Sequence, residues 1–135
     1  MAVAFLIGRL IVGAFFIYNG LNHFLSLAMM AQFAAAKGVP APTVAVAASG
    51  ALILFGGISI LLGWRPDLGI AAIVVFLLGV SFPMHNFWAE TDPGQRMNDM
   101  GHFAKNMAIM GATLTMVAIP QPWPYSVEAR RPVGV

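Results

Sequence analysis

At 135 residues, with 59% hydrophobic and only 9% charged side chains, the chain lies far outside soluble composition, which runs at roughly 45–50% apolar and 25% charged. A formal net charge of +2, scattered along the ends of apolar runs, is too weak a field to argue for nucleic acid. The absence of cysteine excludes a disulfide framework, a thiolate metal site and a dithiol relay, so redox chemistry would need a cofactor or a quinone.

The first apolar run, residues 3–24, is long enough for a hydrocarbon core that needs about 20 residues. Its single charge, Arg9, lies inside the run, and Asn19, Asn22 and His23 close it. That order is unlike a signal peptide, which has its charge first and small residues last, so a retained helix is expected. Residues 26–37 are too short to span. Leu27, Met30 and Phe33 mixed with Gln32 and Lys37 suit a helix lying in the interface.

After the turn at Gly38 and Pro40, residues 43–62 form a second run. Ser49, Gly50, Gly56, Gly57 and Ser59 allow close backbone approach in lipid and predict a central helix. The turn from Gly63 to Asp67 is so short that the third run, residues 68–88, must return antiparallel. Pro83 should bend it against the carbonyl of Gly79 and re-aim His85 and Asn86. A polar stretch over residues 89–98 reads as a solvated loop, with Asn98 or Asp99 capping a fourth helix over 99–119 that Pro120 stops. In the tail, residues 120–135, Trp123 and Tyr125 read as interface anchors.

The expected fold is therefore all-α: a polytopic membrane protein forming one domain over residues 1–135. Its four transmembrane helices make an antiparallel bundle, with a short interfacial helix after the first. Four crossings put both termini on one side with Arg65, Arg130 and Arg131, against Lys37 and Arg96 opposite, which makes the termini cytoplasmic.

With these directions, His23, His85 and His102 fall in the same, outer leaflet, together with Asn19, Asn22, Asn86, Asp99, Lys105 and Asn106. Such groups are costly in lipid without partners and should face one another. Arg9, Val12, Phe16, Asn19 and His23 share one sector of helix one beside Gly13 and Gly20. On helix four, His102, Lys105, Asn106 and Ile109 form a stripe flanked by Ala104, Ala108 and Ala112, small residues that suit close helix contact. Arg9, roughly 21 Å from His23 along the axis, stands apart and is expected to snorkel to headgroups or pair with Asp67. The candidate binding set is His23, His85, Asn86, His102, Lys105 and Asn106.

Several chemistries fit that set. The polar groups could simply satisfy helix ends. Three histidines with Glu90 or Asp99 could hold a metal, although no close-spaced ligand motif argues for one and none is assigned. His85 and His102 could ligate a haem. A quinone or other small amphipathic ligand would find a neutral histidine to take a hydroxyl proton, and Lys105 and Asn106 to hydrogen-bond a carbonyl oxygen. A redox role predicts an apolar cleft of a few hundred Å³ ending at the histidines; a scaffold or small-solute carrier predicts a filled interior. Dimerisation through Gly56/Gly57 or Ala104/Ala108 is a further expectation.

Four stretches carry a resemblance: GRLIVGAFFIYNGLNHF over 8–24, AAAKGVPAP over 34–42, SGALILFGGISILLGW over 49–64 and GHFAKNMAIMGATL over 101–114. Together they resemble the DoxX family of small four-helix membrane proteins. Arg9, Gly20, His23, Lys37, Gly38, Pro40, Gly56, His85, Lys105, Asn106 and Gly111 stand at that family's recurring polar and glycine positions. The resemblance implies a bacterial inner-membrane protein, quinone-linked redox and a redox partner protein, since the family is similar to the large membrane subunit of thiosulfate:quinone oxidoreductase. The chain departs from a self-sufficient sulfur oxidoreductase in having no cysteine and no fused soluble domain.

Overall fold

The computed structural model describes residues 1–130, and the long helices follow from the apolar runs noted above. The helices are α1 (Ala2–Leu25), α2 (Leu27–Ala36), α3 (Pro42–Leu62), α4 (Pro66–Met84) and α5 (Pro93–Thr115). Single 3-10 turns follow at Phe87–Ala89, Met116–Ala118 and Glu128–Arg130. Arg131, counted in the orientation argument, lies outside the described residues.

α3 is the central element, packed on α1, α2 and α4, while α5 packs on the outer side of α4. Its glycines explain the position. A Cβ on Gly57 would sit 2.8 Å from the Ile17 amide and 2.9 Å from the Gly13 carbonyl, so α1 and α3 meet backbone to backbone. Gly56 opens the opposite side of α3 to Ile73 and the Gly69 carbonyl of α4. Both glycines are thus consumed within the chain, which corrects the expectation that Gly56/Gly57 form a face between copies. Phe16, Ile53, Ile60, Ile70, Ile73, Leu77 and Trp123 fill the core between these helices.

α1, α3 and α4 with its following turn are long and apolar enough to cross a membrane. α2 instead docks on α3 through buried Ala31 and Ala34, leaving Met29 and Phe33 exposed. The turn from α3 to α4 uses Gly63 at φ 62°, where an L side chain would be strained. Buried Ser59 donates to the Trp64 carbonyl across it at 2.6 Å.

Two boundaries and one packing face differ from the sequence expectation. α4 stops at Met84 instead of running to Trp88: Pro83 removes one rung of the last turn, the His85 amide makes the final bond, to the Ser81 carbonyl at 3.2 Å, and His85 then leaves helical geometry at φ −126°. α5 starts at Pro93, six residues before the expected Asp99, and its cap is neither Asn98 nor Asp99. Asp92 accepts from the Gln95 amide at 2.7 Å, with Pro93 in the first helical position. The third concerns the face of α5. Asp99, Asn106 and Thr113 are its buried residues, and Ala104, Ala108 and Ala112 are exposed, so the small-residue stripe does not make the contact with α4.

The tail folds back under the bundle. Trp123 is 1% exposed and packs edge-on against Phe5 with ring centroids 5.0 Å apart, so it is a core residue and not an interface anchor; Tyr125 is exposed. Val127 donates to the Leu62 carbonyl at 2.9 Å and Glu128 accepts from the Arg65 amide at 3.0 Å, tying the tail to the α3–α4 turn. Both ends of the molecule are therefore built from distant segments: α1's start, the α3–α4 turn and the tail at one, and α2's end, α4's end and α5's start at the other.

Candidate functional site

At the second end the sequence places a set of titratable side chains that the fold joins through one carboxylate. Asp99, on the first turns of α5, has a side chain only 2% exposed. Lys37, the residue that ends α2, donates to its Oδ2 at 2.9 Å, and Gln95 donates to its Oδ1 at 3.2 Å. Glu90 stands 3.8 Å from the same ammonium. A carboxylate this buried is tolerated because a full charge and a further donor replace its water.

His85 follows from the break in α4. Released from the helix by Pro83, its ring turns so that Nδ1 lies 3.5 Å from Asp99 Oδ1, at the edge of hydrogen-bond reach and without another partner. The other face of the ring stacks on His102 of α5, with centroids 4.9 Å apart and planes 17° apart. Lys105, one helical turn further on, has its Nζ 3.3 Å from His102 Nδ1. An ammonium has only donors, so this contact makes His102 Nδ1 an acceptor and leaves the ring proton on Nε2. His102 and Lys105 are exposed within the chain; His85 is half-buried.

The remaining members of the expected set are dispersed. Asn106 points into the α4–α5 seam, buried, and donates to Ser81 Oγ at 3.1 Å. Ser81 in turn donates to the Leu77 carbonyl, so both polar groups are spent on helix packing. Asn86 is half-buried, and its carbonyl accepts from the Ala89 amide in the 3-10 turn. His23 bonds the Asn19 carbonyl through Nδ1 at 2.7 Å and meets the edge of Phe76 at 5.9 Å. Phe76 precedes His85 by roughly 13 Å along α4, so His23 lies deeper than the histidine stack. Among the described residues no three His, Asp or Glu side chains gather in a metal-binding group.

The structure thus joins His85, His102 and Lys105 and adds Lys37, Asp99 and Gln95, while Ser81 pairs separately with Asn106. Lys37 lies 62 residues from Asp99, and nothing local marks such a pair. Its only signal was the cost of a carboxylate at membrane depth without a partner, which demands a cation somewhere.

Arg9, expected to snorkel or pair with Asp67, does neither. It is 2% exposed, and Nη1 and Nη2 donate to the carbonyls of Pro124 and Tyr125 at 3.3 and 3.1 Å, with the Trp123 ring 5.9 Å away. The tail covers the guanidinium, which takes the place of headgroups; Asp67 is exposed. Two clefts, of about 420 and 240 Å³, flank this end, one beside Arg9 and one between the start of α1 and the end of α5. Neither adjoins the histidines.

The DoxX family model matches residues 4–86. The chain belongs to the DoxX family. No curated protein and no solved structure matches it. With three apolar helices of membrane-spanning length, this DoxX protein is an integral membrane protein whose exposed apolar surface contacts lipid. The matched segment holds His23, Lys37, His85 and Asn86; Asp99, His102, Lys105 and Asn106 lie beyond it, and the stretch over 101–114 is outside the match.

Proposed function

We propose that the chain crosses a bacterial inner membrane four times, termini in the cytoplasm, as the membrane subunit of a quinone-linked oxidoreductase assembly. The observation that carries this reading is the His85–His102 stack between Asp99 and Lys105. With Nδ1 of His102 accepting from Lys105, its Nε2–H is free to donate to a carbonyl oxygen. With Nδ1–H of His85 turned to Asp99, its Nε2 can accept a hydroxyl proton. One donor and one acceptor side by side match the two protonation states of a quinone oxygen. Quinone reduction takes two electrons and two protons; the residues here handle only protons, so the electrons pass to or from a redox partner protein.

The fourth crossing is supported by α5 itself. It runs back beside α4 from the histidine end, and the tail after it meets Phe5 and Leu62 at the end where α1 begins. Asn98, Asp99, His102, Lys105 and Asn106 together lower its apolar character, which is why composition alone favours three spans.

A second reading, a non-enzymatic scaffold or small-solute carrier, has its own support. Lys37–Asp99 and Asn106–Ser81 cross-link helices, and the two clefts lie away from the histidines. Substituting His102→Ala and Lys105→Ala separates the two. Both side chains are exposed, so quinone affinity in detergent titration should fall about tenfold while thermal melting stays put. Unchanged affinity with lowered melting would leave only the scaffold.

A further inference from the structure

The arginine end carries a charge with less compensation than the histidine end. A guanidinium has five N–H donors. Arg9 places one at the Pro124 carbonyl and one at the Tyr125 carbonyl, and its Nε is buried with no partner at all. Among the described residues no carboxylate lies within ion-pair distance of it. Carbonyl dipoles and one aromatic face are weak substitutes for a counter-charge where water is excluded.

The cleft of about 420 Å³ opens at this residue. Its other walls are Leu6 and Leu10 of α1, Leu61 and Leu62 of α3, and Tyr125 and Val127 of the tail. Leu10 and Leu62 are exposed at the bundle surface, so the cleft is open sideways, to where lipid chains run. It sits where α1 begins and α3 ends, toward one end of two helices of membrane-spanning length. A free inorganic anion would find a cation here but no use for four leucines. An uncharged apolar chain would leave the guanidinium as it is.

We infer that this cleft is a binding site for an anionic phospholipid, its phosphate facing the spare Arg9 donors and part of one acyl chain lying along Leu6, Leu10, Leu61 and Leu62. Guanidinium and phosphate are matched in geometry and charge, and the lipid supplies a counter-ion that the described residues do not.

The test is native mass spectrometry and thermal melting of the delipidated full chain, offered phosphatidylglycerol, phosphatidylcholine or inorganic phosphate. Phosphatidylglycerol should be retained about tenfold more strongly than phosphatidylcholine and should raise the melting temperature more. Because Arg9→Gln loosens the tail and could fail to fold, Leu10→Trp is the second variant. It fills the cleft and leaves the guanidinium in place, and it should lose the preference while melting as the parent does without lipid. Equal retention of the two lipids would overturn the inference, as would an undiminished preference in Leu10→Trp. Release of phosphatidylglycerol by millimolar inorganic phosphate would also overturn it, in favour of a free-anion site.

Discussion

The two ends of the bundle each bury a full charge, Arg9 from within an apolar run and Asp99 from the polar start of α5, and they compensate it by different means. At the histidine end Asp99 receives a lysine, a glutamine and the approach of a histidine, from α2, α4 and α5. At the other end Arg9 receives two main-chain carbonyls and the face of Trp123, all from the tail. Charge met by charge yields a closed network that fixes helix positions. Charge met by dipoles needs a cover, and leaves valence for something else. A dense group of polar side chains is therefore not the best indicator of an open site; in this molecule the larger cleft adjoins the lone, under-compensated cation.

Removing the cover should have the largest effect. Trp123→Ala empties a fully buried site and should cost about 3–5 kcal/mol, read as a lower melting temperature in detergent with faster proteolysis of the tail. A variant that melts like the parent would mean the tail does not hold Arg9. Next comes the network. Asp99→Ala takes the nearer of its two carboxylates from Lys37, leaving Glu90 at 3.8 Å, and should cost about 2 kcal/mol. Adding Lys37→Ala should restore part of that, with a coupling of about 1–3 kcal/mol in the double-mutant cycle. Strict additivity would show the pair to be incidental. The smallest effect is expected at Asn106→Ala, which gives up one hydrogen bond to Ser81 between helices, worth about 1 kcal/mol in a membrane protein. A loss as large as that at Asp99 would extend the network to the whole α4–α5 seam.

The helices could be read from the chain because apolar runs near 20 residues admit little else. The role of α3 was equally legible, since Gly50, Gly56 and Gly57 serve no purpose in an exposed helix. The start of α5 was available and overlooked: Asp92, Pro93 and Gln95 form an N-terminal signature, masked by a polar stretch that reads as loop when hydropathy is the guide. The partners of Arg9 were not legible at all. They are main-chain carbonyls, which every residue possesses, so no residue type at 124 or 125 announces them. His85 and His102 were expected to meet because helix direction fixes depth. His23 was expected with them, and Phe76 shows why it is not: α1 docks on α3, and His23 reaches α4 only at Phe76, well before His85 along that helix.

The bonds from Arg9 to Pro124 and Tyr125 also set a timetable. The acceptors lie 115 and 116 residues after the donor, and at synthesis rates of about 5–20 residues per second the first helix waits on the order of ten seconds for them. During that interval the nascent α1 holds a bare guanidinium within its apolar length, at a depth where lipid headgroups and the insertion machinery are the nearest anions. Of the described helices, the earliest to be synthesised is thus among the last to reach its final seat.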